Sequence, residues 1–116
     1  MDQLKPNKLK ILTICAGGTN RSVGLARVLK DTDVSGLSHD AIPVSWKFNA
    51  PETIEMLCRW SDWIVVMEPY MQTFVKQEFR SKLRICDVGP DIYGSPMNKM
   101  LQALCEKWAR TQGILS

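Results

Sequence analysis

The feature that most narrows the choice of folds is a junction near the start of the chain. The run Ile11-Leu12-Thr13-Ile14 is apolar and β-branched, and it leads through Cys15-Ala16-Gly17-Gly18-Thr19-Asn20 into Arg21 and Ser22. After that, Ser22, Leu25, Ala26 and Leu29 recur at helical spacing. An apolar run bounded by a glycine pair fits a buried parallel strand over residues 10–14. The recurrence fits a helix over residues 21–30. A strand joined to a helix by a short glycine-containing loop is the opening of a βαβ unit, and such a unit needs a parallel sheet to complete it.

The rest of the chain repeats the alternation. Residues 1–9 are polar and read as a loose lead-in. Residues 31–40, rich in Asp, Ser and Gly, read as a loop that also carries His39 in solvent. Residues 41–44 form a short strand, and Pro43, which has no ladder donor, assigns it to a sheet edge. Asn49-Ala50-Pro51-Glu52 starts a second helix with Ile54, Leu57 and Cys58 on its buried stripe. Trp63-Ile64-Val65-Val66-Met67 is the strongest strand signal in the chain. Pro69 opens a third helix with Met71, Phe74, Val75 and Phe79 on one face, and residues 83–88 form the next strand. After a loop over residues 89–94, Ser95 as N-cap and Pro96 at the first helical position start a last helix. Its apolar stripe is Met97, Met100, Leu101, Leu104, Cys105 and Trp108, read as core.

Four strands alternating with four helices in 116 residues predict a single domain over residues 1–116, a three-layer α/β/α sandwich on a four-stranded parallel sheet. Right-handed crossovers and the edge position of the Pro43 strand give the order 2-1-3-4. The ligand site of such a sheet lies at the carboxyl ends of its strands, where the strand order reverses. The loop that begins at Cys15 falls there, and the loop carrying Asp91 opens on the same rim.

Composition excludes several classes of function. The net charge is +3 with the basic residues scattered, which favours a small anionic group over a nucleic-acid duplex as partner. No apolar run is long enough to span a bilayer, and no apolar segment follows the N-terminal lysines, so neither a membrane nor a secretory signal is expected. The four cysteines, Cys15, Cys58, Cys86 and Cys105, form no C-x-x-C pair. They read as free thiols in a reducing cytoplasm, with Cys58, Cys86 and Cys105 in the core. One histidine and no paired ligands argue against zinc, and no cofactor is expected.

The loop itself carries the chemistry. Successive amides of a loop entering a helix can converge on a dianion, and positive φ at Gly17 and Gly18 would let them do so. The phosphate-binding set is then Ala16, Gly17, Gly18, Thr19, Asn20, Arg21 and Ser22. Arg21 offers a planar fork to two phosphate oxygens. Cys15, among those amides and beside Arg21, is favoured as thiolate and is the candidate nucleophile, with the Ser22 hydroxyl able to donate to its sulfur. The leaving oxygen needs a proton, and Asp91 on the facing loop is the candidate general acid, with Asp87 a weaker alternative.

Cys15, five residues, then Arg21-Ser22 after an apolar strand resembles the signature of cysteine-dependent protein tyrosine phosphatases. Its place near the N-terminus resembles the low-molecular-weight family. Trp63-Ile64-Val65-Val66-Met67-Glu68 is similar to that family's central strand, which ends in a Met and an acid. Asp87-Val88-Gly89-Pro90-Asp91-Ile92-Tyr93-Gly94-Ser95 is similar to its general-acid loop. The resemblance implies catalysis by Cys15, Arg21 and Asp91, a phosphocysteine intermediate, and a phosphorylated protein or small phosphate ester as substrate, phosphotyrosine by default. It also implies that Tyr93 lines the substrate cleft.

The chain departs from the family at four loop positions. Gly18 stands where a bracing Asn is usual, Asn20 where a second cysteine is common, Val23 where Pro follows the Ser, and Ala16 where a bulky pocket wall follows the nucleophile. Trp46 or Phe48 is the candidate for the missing wall. Thr19-Asn20-Arg21-Ser22 is also similar to the phosphatases of the RNA polymerase C-terminal tail, which are much longer. Three rival functions share the scaffold. A phosphocysteine carrier would lack Arg21 and Asp91. An arsenate reductase would need resolving thiols close to Cys15. A non-catalytic phospho-ligand binding module would need only the loop.

Overall fold

The computed structural model describes residues 9–17, 20–32 and 39–114. Strands β1 (Leu9–Cys15), β2 (His39–Ser45), β3 (Trp63–Val66) and β4 (Leu83–Ile85) alternate with helices α1 (Asn20–Thr32), α2 (Pro51–Trp60) and, after β4, α3 (Lys99–Thr111). The sheet is parallel throughout, in the order β2-β1-β3-β4. β1 is flanked on both sides, and its residues from Ile11 to Cys15 are all buried. β2 is the edge strand, as Pro43 requires: it pairs with Thr13 in a register that runs unbroken from Leu9–His39 to Cys15–Ser45.

Helices lie around the sheet. The Thr13 hydroxyl donates to the Ser22 carbonyl at 2.9 Å, which pins the start of α1 to the face that Thr13 and Cys15 share. α3 packs beside α1, where Gly24 removes the side chain that would collide with Leu101: a Cβ there would lie 2.8 Å from its Cδ2. The crossover through α2 runs back from β2 over β1 to β3, so right-handedness sends α2 to the opposite face. Met71, Val75 and Phe79 complete the core on the far half of the sheet.

Several expectations are corrected. The third helix is two 3₁₀ segments, Pro69–Phe74 and Gln77–Lys82. They are separated at Val75 and Lys76, whose backbones are extended (ψ 122° and 150°). Val75 is buried, and its β-branched side chain is better accommodated extended than in a helical turn. Regular β4 ends at Ile85 rather than at Val88, although Cys86 N and Val88 N still donate to Val66 O (2.8 Å) and Met67 O (3.3 Å). The last helix starts at Lys99, not at Pro96. Asn98 is the N-cap: its Oδ1 accepts from Met100 N at 2.9 Å and Leu101 N at 3.1 Å, whereas Ser95 only closes a local turn with Met97 N. Along α3, Leu101, Cys105 and Ala109 face inward, while Met100 and Leu104, and Met97 before the helix, are exposed and not core. His39 is not a solvated loop residue. It is buried in β2 with its Nε2 against the Leu29 carbonyl. The expected lead-in at residues 1–8 lies outside the described residues.

The placement of Cys58, Cys86 and Cys105 in the core holds: all three are free and buried. A hydrogen bond with Cys105 and burial push the Cys86 thiol far up, and burial pushes Cys58 up, so neither is a reactive thiolate. Among the described residues no helix is long and apolar enough to cross a membrane, and no cluster of three or more His, Cys, Asp or Glu side chains is arranged to hold a metal.

Candidate active site

The carboxyl ends of the strands meet on one rim. β1 ends at Cys15, β2 runs into Trp46 and Lys47, β3 into Met67 and Glu68, and β4 into the segment holding Gly89 and Asp91. Past the regular strands, Trp46 N donates to Cys15 O (2.8 Å) and Lys47 N to Ala16 O (2.9 Å), while Ser45 Oγ donates to Gly17 O at 2.7 Å. Those bonds turn the Cys15 and Ala16 carbonyls toward the β2 side. Because trans peptides point C=O and N–H in opposite directions, they turn the amides of Ala16 and Gly17 away from it. These are the first donors that an anion-binding loop needs. Gly17 has no positive φ, contrary to expectation, and a Cβ there would meet nothing within 4 Å, so neither backbone twist nor crowding calls for glycine at this position. Gly18 and Thr19 lie outside the described residues, and α1 resumes at Asn20.

The Cys15 sulfur is buried and 3.0 Å from the Ser22 hydroxyl. A thiolate has no proton to give, so in that state Ser22 is the donor. Arg21 is only 5% exposed. Its Nη1 donates to Glu68 Oε2 and to the Gly89 carbonyl, both at 2.8 Å. Its Nε is buried and has no partner among the described residues. Burial opposes the charge on Arg21, but the hydrogen bond and charge of Glu68, helped by the charges of Asp91 and Cys15, outweigh it and hold the guanidinium above its ordinary value. The two carboxylates and the thiol that act on Arg21 therefore come from three different strand ends.

Asp91 is exposed on the loop after β4 and close enough to act on Arg21. Asp87 occupies a different role: its Oδ1 accepts from Gly89 N at 3.1 Å and closes a turn around Gly89, whose φ of 74° suits glycine. Asp87 is thus engaged in its own turn, while Asp91 is the carboxylate of this loop that acts on Arg21. Tyr93 is not an open cleft wall. It is buried, its hydroxyl donates to the Val88 carbonyl, and Asn98 Nδ2 donates to its own carbonyl at 3.1 Å. It braces the Asp91 loop from below.

On the other side of the loop, Ala16 and Gly17 border a cavity of about 680 Å³ shared with Trp46, Pro51, Ile54 and Phe74. The Trp46 and Phe74 rings are stacked, 4.8 Å apart and 2° from parallel. Of the two wall candidates, Trp46 is in the lining. Phe48 is 74% exposed and faces Lys47 instead. By its spacing Phe74 shares one face of the expected third helix with Met71, Val75 and Phe79, and nothing in the sequence marks Glu68 or Gly89 as partners of Arg21. Gly89 contributes only a carbonyl, which no residue type announces.

No known protein-family model matches the chain, and no characterised protein matches it by sequence. Solved structures do match by shape. Wzb of Vibrio vulnificus in complex with benzylphosphonate superposes with a TM-score of 0.63 at 19% identity, over 90% of this chain and 99% of that one. A low-molecular-weight protein tyrosine phosphatase of Bacillus subtilis gives 0.66 at 17% identity, over 90% and 97%. One from Streptococcus pyogenes gives 0.64 at 15%, over 90% and 93%. The chain has the fold of the low-molecular-weight protein tyrosine phosphatases. In this chain Ala16 leaves the loop's flank open onto the Trp46–Phe74 cavity, and the Tyr93 side chain is turned inward.

Proposed function

We propose that the chain is a cysteine-dependent phosphatase acting on phosphate monoesters, with phosphotyrosine in a protein the default substrate and Cys15, Arg21 and Asp91 the catalytic residues. The observation that carries this reading is the Nε of Arg21, buried and without a partner among the described residues, together with a buried Cys15 sulfur 3.0 Å from the Ser22 hydroxyl. A buried donor with no acceptor is costly, and an anion bound in the loop would satisfy it.

The Cys15 thiolate attacks phosphorus, the bond from phosphorus to the ester oxygen breaks, and Asp91 gives its proton to the departing oxygen. The Arg21 fork and the loop amides hold the equatorial oxygens as charge builds on them. Water then attacks the phosphocysteine. Asp91, now a carboxylate, takes the water's proton, the sulfur–phosphorus bond breaks, and inorganic phosphate leaves with the thiolate regenerated. Ser22 donates to the sulfur as it is expelled. The mechanism needs no metal. The other three thiols are buried, and Cys86 is hydrogen-bonded to Cys105, which disfavours an arsenate reductase with a mobile resolving cysteine. A set of free thiols also suits the proposed reducing, cytoplasmic setting.

The test is phosphate release from an aryl phosphate. Cys15→Ser should abolish turnover. Asp91→Asn should slow it by about 100- to 10,000-fold, most for esters with poor leaving groups. An inactive wild type that still binds a phosphopeptide would refute the enzyme and leave a binding module.

A further inference from the structure

We propose that the recess between Phe74 and Ile54 is a specificity subsite for an apolar side chain of a peptide substrate, two positions along the chain from the phosphorylated residue; this rests on the phosphatase reading above. The lining selects the chemistry. The recess holds about 680 Å³, and Ala16, Trp46, Pro51, Ile54 and Phe74 all border it. Among the described residues the one charged side chain on its border is Lys47, which is exposed and stands over the Phe48 ring. The Asn49 amide is already engaged, donating to Ser45 O at 2.7 Å. A polar group would find few side-chain partners there, whereas an apolar one would take the half-buried Trp46 and Phe74 rings out of water. The walls are also held in place. Trp46 stacks on Phe74, and the Tyr70 ring meets Phe74 edge-on at 5.9 Å, so the three rings form one row. Trp46, Pro51, Ile54 and Phe74 further border a small hollow of about 40 Å³ that leads to Cys58 and Phe79.

The place of the recess on the rim decides which part of a substrate meets it. The strands lie side by side in the order β2-β1-β3-β4, and neighbouring strands are about 4.8 Å apart. Asp91 follows β4, two strands to one side of Cys15, and Trp46 follows β2, one strand to the other side. The departing oxygen has to meet Asp91, so the phosphorylated side chain leans toward β4 and leaves the recess free. An extended peptide puts side chains two residues apart on one face, about 6.6 Å from each other, a step of between one and two strand spacings. That step leads from above Cys15 to the recess past Trp46. The residues next to the phosphorylated one point the opposite way, into solvent.

The test compares kcat/KM for phosphotyrosine peptides that carry alanine throughout, or a single leucine placed one or two residues to either side. Each buried methylene corresponds to about fourfold in binding, so the extra carbons of leucine over alanine give at most about 60-fold, and an open recess about 5- to 30-fold. Leucine two residues away, on one side, should raise kcat/KM by that amount, and leucine next to the phosphotyrosine by less than about threefold. The leucine-to-alanine ratio should fall below about threefold in Phe74→Ala, which removes a wall, and in Ile54→Phe, which fills the recess. It should persist in Phe48→Ala, outside the recess. The ratio is internal to each variant, so a general loss of activity leaves it readable, and the wild-type peptide series stands even where a variant does not fold. A preference for aspartate over leucine at the same position would overturn the proposal in favour of Lys47. A leucine preference that survives in both Phe74→Ala and Ile54→Phe would also overturn it. A wild type that hydrolyses p-nitrophenyl phosphate and treats all the peptides alike overturns this inference alone; one that hydrolyses neither overturns the phosphatase reading and this inference with it.

Discussion

Replacing Ser22 by Ala removes a single oxygen, and its consequences can be worked through step by step. The Ser22 hydroxyl lies 3.0 Å from the Cys15 sulfur, and both residues are fully buried. A hydrogen bond to a charged group contributes roughly 1.5–3 kcal/mol. At about 1.4 kcal/mol per tenfold, its loss amounts to about 10- to 100-fold in whichever step depends on it. The two steps depend on it differently. In the first, the bond to the attacking sulfur weakens as charge passes from sulfur to phosphorus, so its loss does not slow that step. In the second, sulfur is the leaving group and gains negative charge as the bond to phosphorus breaks, so the whole loss falls on breakdown of the intermediate. Ser22→Ala should therefore lower kcat by about 10- to 100-fold while leaving the first step nearly intact. In a stopped-flow experiment with p-nitrophenyl phosphate, the variant should release a burst of phenolate close to one equivalent per active site before a slow steady state. A variant with unchanged kcat, or one slowed without a burst, would refute the assignment of Ser22 to the leaving thiolate.

Two further predictions concern the supports of the site. Asn98→Ala removes the two acceptor bonds that cap α3 and the donor to Tyr93 O. It should cost about 1–2 kcal/mol in urea unfolding and should also lower activity through the Asp91 loop that Tyr93 braces; a drop in neither would contradict the capping role. Cys86 and Cys58 are held above their ordinary value in the folded chain, Cys86 first by its bond to Cys105 and Cys58 first by burial. The stability this adds is fully present below the unfolded thiol's value, about 8.5, and is lost as pH rises toward and through the folded values. Thermal melts should fall with pH above that point, and the fall should be shallower in Cys86→Ala; an unchanged slope would count against Cys86 as its source.

What the sequence made legible follows from how local each signal is. β1 and β3 are short apolar runs whose burial needs no partner to be guessed, and Pro43 on its own places β2 at the edge. Cys15, Arg21 and Ser22 lie at the two ends of one short loop between a strand and a helix, so they could be expected near one another. The errors arise where distant contacts decide. Met71, Phe74, Val75 and Phe79 look helical, but the spacing of four from Met71 to Val75 to Phe79 also suits two 3₁₀ turns around an extended, buried Val75. Ser95-Pro96 is a good local helix start, yet Asn98 wins because it caps α3 and ties down Tyr93 with the same side chain. Glu68 and Gly89 meet Arg21 across 47 and 68 residues of chain, and nothing near Arg21 in sequence points to either.

The central claim is that Cys15 carries the phosphoryl group, and trapping it is the direct test. Asp91→Asn should slow hydrolysis of the intermediate and let it accumulate. Rapid acid quench of that variant during turnover of a reactive aryl phosphate, followed by peptide mass spectrometry, should find one phosphoryl group on the peptide containing Cys15 and none on those with Cys58, Cys86 or Cys105. Turnover with no phosphorylated Cys15 peptide, together with undiminished activity in Cys15→Ser, would contradict the account.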